Sequence, residues 1–266
     1  MKDWSHLIVE EHGNVLRVGI NRATARNALN TALMTELTEI ARLHRRSSTI
    51  RAIVLHGTND FFSAGMDLKS VRTEREATAT TLLETRAAIM AGPDMCKAWE
   101  EIEVPTIAAI EGFCVGGAVS LALACDFRIM GKSGFARLPE VPLGMNMSWR
   151  TLPKLAAMIG PSRAKRFAMF GESTPAKQCV EWGLVDEIVE DGKALETGLE
   201  WATRLAALPP IPVQMTKEAI NMAVGATHHA TTFMDRDQFL LTYKSDDVKE
   251  GVAAWFEKRS PKFKGN

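Results

Sequence analysis

The chain has 266 residues, nearly half of them hydrophobic and a quarter charged, which is enough to bury a substantial core and ordinary for a soluble globular protein. Its 32 basic and 32 acidic residues cancel. That argues against a general nucleic-acid binder, which carries a basic excess, and leaves room only for a local patch facing a phosphorylated ligand.

No apolar run approaches the roughly 18 residues of a membrane span, and the stretch MKDWSHLIVEEHG has no apolar core of a secretory signal. Four cysteines (Cys96, Cys114, Cys125, Cys179) form no C-x-x-C pair, and no Cys or His cluster has ligand spacing. Reduced thiols, no metal site, no membrane partner and a cytoplasmic location are therefore expected.

In chain order, Leu7–Ile20 predicts two short strands around a His12-Gly13-Asn14 turn. NTALMTELTEIARLHRR is an amphipathic helix, with Asn30 or Thr31 as its N-cap and arginines in its last turn. IRAIVLHG is a buried strand ending at Gly57, and TNDFFSAGMDLKS is a loop. A charged, threonine-rich segment from Val71 to about Thr81 is expected to be mobile. One long helix should then run to about Ile102. VPTIAAIEG and DFRIMG read as buried strands, with a helix over 116–124 between them. The alternation of strand, loop and helix is an α/β pattern, whose parallel strands need crossovers. From Ser148 onward helices dominate. They are broken by prolines at 209, 210 and 212, and one strand-like piece, LVDEIVE, interrupts them. The expected division is a sheet-rich core over residues 1–195 and a helical region over 196–266.

The stretch EGFCVGGAVSLALACDF brings a glycine pair to a helix start. It is neither G-x-G-x-x-G nor a phosphate-binding G-x-x-x-x-G-K-[ST] loop. Two readings stand for Gly116 and Gly117. They offer backbone N–H groups to a negative oxygen, or they only permit close strand–helix packing. A second glycine loop, FFSAGMDLKS, also leaves a buried strand. Its Ala64-Gly65 step allows the Met66 N–H to turn inward, with Asp67 capping the residues after it. Two such donors on one oxygen would form an oxyanion hole. Ser120 as a nucleophile would need a G-x-S-x-G elbow, and AVSLA lacks the glycines. Two readings stand for His56, at the end of the strand before the Met66 loop: it approaches the site, or, the favoured one, it is a satisfied strand-end histidine.

With NRATARNALN, FFSAGMDLK, AIEGFCVGGAVSLALACDFRIM, FARLPEVPLGM, AKQCVEWGLVDEIV and FEKRSPKFK in this order, the chain resembles the crotonase superfamily of enoyl-CoA hydratases and isomerases. The resemblance implies a ββα spiral core followed by a helical C-terminal region that mediates trimers, often paired into hexamers. It implies no permanently bound cofactor, coenzyme A entering as part of an acyl-CoA thioester substrate. The N–H groups of Met66 and Gly117 would hold the thioester carbonyl. Coenzyme A would be held by Ala64, Gly65, Asp67, Leu68 and Lys69, with Arg26 and Ala28, and by Lys264 of a neighbouring subunit.

The family's hydratases carry two glutamates, one three residues after the oxyanion glycine and one in a Pro-Glu pair. This sequence keeps the second as Glu140 and has Ser120 at the first. A serine hydroxyl is no base at neutral pH without a partner. A double-bond shift needs only one carboxylate, so isomerisation by Glu140 is the first expectation and hydration the second. Thioester hydrolysis, decarboxylation or a non-catalytic binding role rank after them. Burial between Leu138-Pro139 and Val141-Pro142-Leu143 should raise the Glu140 pKa. Ser120, Gly116, Met145 and Trp149 are expected around the acyl group, the last two as a soft, bulky wall.

Overall fold

The computed structural model describes residues 3–58, 60–69 and 81–266. Apart from Thr81, the charged segment expected to be mobile lies outside these residues. Leu7–His12 (β1) and Val15–Ile20 (β2) pair antiparallel across Gly13, whose φ of +61° suits glycine. From β2 the large sheet continues in parallel through Ala52–Gly57 (β3), Thr106–Ile110 (β4), Phe127–Gly131 (β6) and Glu187–Val189 (β9). These central strands are apolar on both faces, as a covered parallel sheet requires. A second, small sheet holds Phe113–Val115 (β5), Phe135–Arg137 (β7) and Thr174–Pro175 (β8).

Part of the chain advances in turns that place one strand in the large sheet, a short strand in the small sheet, and then a helix. β4, β5 and the helix Gly117–Ala124 (α4) make one such turn. Helix Thr31–Leu43 (α1) opens at Asn30, whose side chain accepts the Leu33 N–H at 3.0 Å. It packs against Ala91–Glu100 (α3) and accepts the Trp99 indole N–H on the Leu37 carbonyl.

The single helix expected to run to Ile102 is instead two, Leu82–Ala88 (α2) and α3. Pro93 is the cause, because its ring excludes the carbonyl of Ile89 from continuing helix. The strands β5, β7 and β8 are additions to the sequence reading, since two or three residues carry no periodicity. After Thr151–Ile159 (α5), Pro161–Phe170 (α6) and Ala176–Trp182 (α7), helix Ala194–Ala206 (α8) packs on β3, β4 and β6. Pro210 and Pro212 do not break the next helix, Pro210–Gly225 (α9). They lie in its first turn, where an N–H is not needed. His228–Thr232 (α10), Asp235–Tyr243 (α11) and Asp246–Glu257 (α12) complete the described chain. No helix among the described residues is long and apolar enough to cross a membrane. All four cysteines are buried and unpaired, and burial raises the thiols of Cys96, Cys125 and Cys179 to about 12.

One buried side chain ties the early loops together. Asn27 sits at φ +54° and is fully buried. Its Oδ1 accepts the Arg22 N–H, and its Nδ2 donates to the carbonyls of Thr58 and Phe62, each at 3.2 Å. Asn27→Ala leaves these groups without partners in the interior. Urea unfolding should show a loss of about 3 kcal/mol or more; a loss below about 1 kcal/mol would contradict this role.

Candidate active site

Three loops leave the same end of the small sheet. Ser63 bridges Cys114 in parallel, and Cys114 pairs in parallel with Ala136. Counting onward from this row, Met66 and Gly117 are each three residues along and Glu140 is four. Parallel pairing therefore gathers three positions that are far apart in sequence.

The backbone at this convergence is tight. A Cβ on Gly65 would lie 2.3 Å from the Val115 carbonyl oxygen and 3.3 Å from the Gly117 nitrogen. A Cβ on Gly116 would lie 2.7 Å from Glu140 Oε1. Gly65 and Gly116 also have φ of +81° and +56°, so glycine is required twice over. The packing reading of the glycine pair is visible in these contacts, which set the Gly65 backbone against the Gly117 nitrogen and the Gly116 backbone against Glu140. Leu29 donates to Gly65 O at 2.7 Å and accepts the Asp67 N–H at 3.0 Å. By strand alternation the intervening Met66 N–H points away from Leu29. Neither it nor the Gly117 N–H, first in α4, has an acceptor among the described residues.

Helix α4 is buried along its whole length. At its far end the buried Arg128 guanidinium donates to the carbonyls of Cys125 and Leu184, both at 2.9 Å, and pairs with Asp186. This cation meets the negative end of the helix dipole, and the positive end is left facing Met66 and Glu140.

Glu140 precedes the 3₁₀ turn Val141–Leu143, but its side chain makes no cap there. As a residue it is half-buried, yet its Oε2 is fully enclosed and has no hydrogen-bond partner among the described residues. Burial pushes the carboxyl from its ordinary value up to about 7, with its own backbone N–H and Arg137 pulling the other way. The C-terminal helices cover the turn that follows Glu140. Leu143 and Met145 cluster with Phe239 of α11 and Val248 of α12, and Met66 packs against the same cluster. A Cβ on Gly251 would meet the Leu143 carbonyl oxygen at 2.6 Å, so α12 lies directly on the turn after Glu140. Met145 also donates its N–H to the Glu140 carbonyl at 2.9 Å.

Ser120 is buried, and its Oγ lies 2.6 Å from Thr151 Oγ1. Thr151 donates its only hydroxyl proton to Ser148 O at 2.7 Å. Ser120 must therefore be the donor to Thr151, and its proton is committed away from Glu140. Trp149 is buried, with its ring 2.3 Å from where a Gly117 Cβ would sit. His56 is buried between the Gly57 carbonyl (Nδ1, 2.8 Å) and Arg17 Nε (Nε2, 3.0 Å), a satisfied strand-end histidine.

Of the expected coenzyme contacts, Arg26 is exposed at φ +54°, Ala28 is buried, and the Ala64 N–H donates to Arg26 O at 3.1 Å. Leu68 is half-buried and Lys69 exposed. Asp67 accepts the Lys69 N–H at 3.1 Å and pairs with Arg22 at 2.7 Å. Lys264 is not gathered with these residues; it lies on the tail that folds back on α12, its N–H on Asp247. Sequence reasoning missed Arg22, Asn27 and Thr151. The first two fall inside the NRATARNALN stretch, and no spacing marks Thr151.

A family model described as enoyl-CoA hydratase/isomerase matches residues 10–266. The 2,3-dehydroadipyl-CoA hydratase of Escherichia coli K12 is 33% identical over 261 residues, covering 98% of this chain and 99% of the relative. The short-chain-enoyl-CoA hydratase of Clostridium acetobutylicum is 28% identical, covering 96% of each chain. Among solved structures, an enoyl-CoA hydratase/isomerase from Pseudoalteromonas atlantica T6c superposes with a TM-score of 0.87 at 28% identity, covering 98% of this chain and all of the other.

The raised Glu140 carboxyl has a consequence for stability. Its folded pKa lies above its unfolded value, so between about pH 4.5 and 7 the folded state binds the extra proton. Stability falls as pH rises through this window, and the full penalty applies above it. Glu140→Gln removes the penalty. Thermal unfolding should show a Tm gain for the variant near pH 8 that shrinks near pH 5; an equal gain at both would contradict the raised carboxyl.

Proposed function

This chain belongs to the enoyl-CoA hydratase/isomerase family and is an acyl-CoA enzyme of that type, and within it we propose that it moves the double bond of a 3-enoyl-CoA to the 2-position with Glu140 as its single acid and base. The observation that carries this reading is the commitment of the Ser120 hydroxyl to Thr151. Hydration needs a water held and activated by two proton-transfer groups. At the position where the family's hydratases have their other glutamate, this chain offers a hydroxyl with no proton left to donate.

Isomerisation needs less. The Glu140 carboxylate takes a proton from C2, and the electron pair moves into the thioester carbonyl and the C3–C4 π bond. The resulting dienolate oxygen is held by the N–H groups of Met66 and Gly117, neither of which has an acceptor among the described residues. Glu140 then returns the proton to C4, leaving the double bond between C2 and C3. A carboxyl with a pKa near 7 is matched to both halves of this cycle at neutral pH. The coenzyme A part of the substrate is read as lying along Ala64–Lys69 with Arg26 and Ala28, and Lys264 as coming from a neighbouring subunit. Exposed apolar residues on α9, including Ile211, Met215 and Met222, support association into a trimer or a pair of trimers. No resident cofactor has a part in this cycle.

Hydration of a 2-enoyl-CoA is the second reading, favoured by the hydratase names of the relatives. Incubation with a 3-enoyl-CoA and with a 2-enoyl-CoA, monitored by mass and by retention of the product, separates the two. The proposal expects a rearranged product of unchanged mass from the 3-enoyl substrate. Addition of one water to the 2-enoyl substrate as the dominant reaction would replace it with hydration. Glu140→Gln should lower kcat by about 10²–10⁴ or more. Because the base form is the active one, kcat/KM should rise with pH and level off above about 7.

A further inference from the structure

Two consecutive non-glycine residues, Trp149 and Arg150, have φ of +59° and +62°. Bulky L-residues seldom adopt this conformation, and it persists only where the surroundings enforce it. Three contacts do so. The Arg150 N–H donates to Asp235 Oδ2 at 2.8 Å, the Arg150 side chain reaches Glu100 of α3 at 3.3 Å, and Thr151 closes the turn onto Ser148 O.

The strained turn touches α4 twice in its first turns. The Trp149 ring lies between Gly117 and Gly92 of α3. A Cβ on either glycine would fall 2.3 or 2.0 Å from a ring atom. The Thr151 hydroxyl receives the Ser120 proton one helical turn further on. The N-terminal turn of α4 is thus held by an aromatic face and by a hydrogen bond. Both come from the single segment 148–151.

We infer that this segment is a clamp positioning the Gly117 N–H, and that Asp235, at the start of α11 in the C-terminal helices, is the positioning residue that locks it. This rests on Gly117 acting as an oxyanion donor. An oxyanion hole works only while its donors are held to a fraction of an ångström, and small misplacements far from the chemistry reduce rate steeply. Without Asp235 the Arg150 N–H loses its half-buried partner, and only the Glu100 and Ser148 contacts remain to hold the left-handed turn. Asn keeps an acceptor oxygen at the same place, so the polar contact and not the charge is what the clamp requires.

The test reads the oxyanion hole directly. A saturated acyl-CoA is bound without reacting, and the stretching frequency of its thioester carbonyl is measured by infrared difference spectroscopy. Turnover of a 3-enoyl-CoA is measured in parallel. Wild-type protein should lower the carbonyl frequency. Asp235→Ala should lose about half or more of that shift and reduce kcat by about tenfold to a hundredfold, with KM little changed. Asp235→Asn should retain both. If Asp235→Ala does not fold, Thr151→Val, which removes the Ser120 link at constant shape, must show the same partial loss of shift. A full wild-type shift in whichever of these two variants folds overturns the clamp. A wild-type protein that leaves the bound carbonyl unshifted overturns the donor role of Gly117 itself.

Discussion

The site depends on one parallel register, the row Ser63–Cys114–Ala136 in the small sheet. Parallel strands run in one direction, so the loops after them emerge at one end. The row is only three residues wide, but it sets Met66, Gly117 and Glu140 at similar distances beyond it. The glycines at 65 and 116 then remove the side chains that would hold these loops apart. A shift of that register would move these three positions relative to one another.

The second constraint is electrical. Helix α4 is short, wholly buried and apolar, so its dipole is screened by protein alone. Arg128 takes the negative end and the positive end faces the site. Close by, the C-terminal helices cover the turn after Glu140, and Oε2 is buried with no partner among the described residues. An unpartnered carboxylate oxygen in the interior is unfavourable, and the structure keeps it there. Structural carboxylates are placed where they find donors. In the proposed cycle this one stands where a proton can come and go, which is the requirement of a base that must also act as an acid.

Much of the site is legible in the sequence, and the gaps have physical causes. The long apolar strands and the Asn30 cap come from composition and spacing. Glu140 and the absent second carboxylate at Ser120 stand out against the family pattern. The three-residue strands β5 and β7 do not, because a pattern needs more than one repeat to be seen. Without them the convergence of the glycine loops has no visible cause. The left-handed backbone of Asn27, Trp149 and Arg150 is equally silent, since tertiary contacts impose it against local preference. The break before Pro93 is readable from the proline itself. Thr151 is beyond reach, because its contact with Ser120 joins residues on different helices.

In the proposed cycle one carboxyl, buried at Oε2, carries a proton from C2 to C4 of the same substrate. This transfer is tested most directly with a 3-enoyl-CoA bearing deuterium at both C2 positions. The product should be the 2-enoyl-CoA with a substantial share of deuterium at C4, found by mass and by nuclear magnetic resonance. Turnover that leaves no deuterium at C4 would contradict transfer by a single enclosed Glu140.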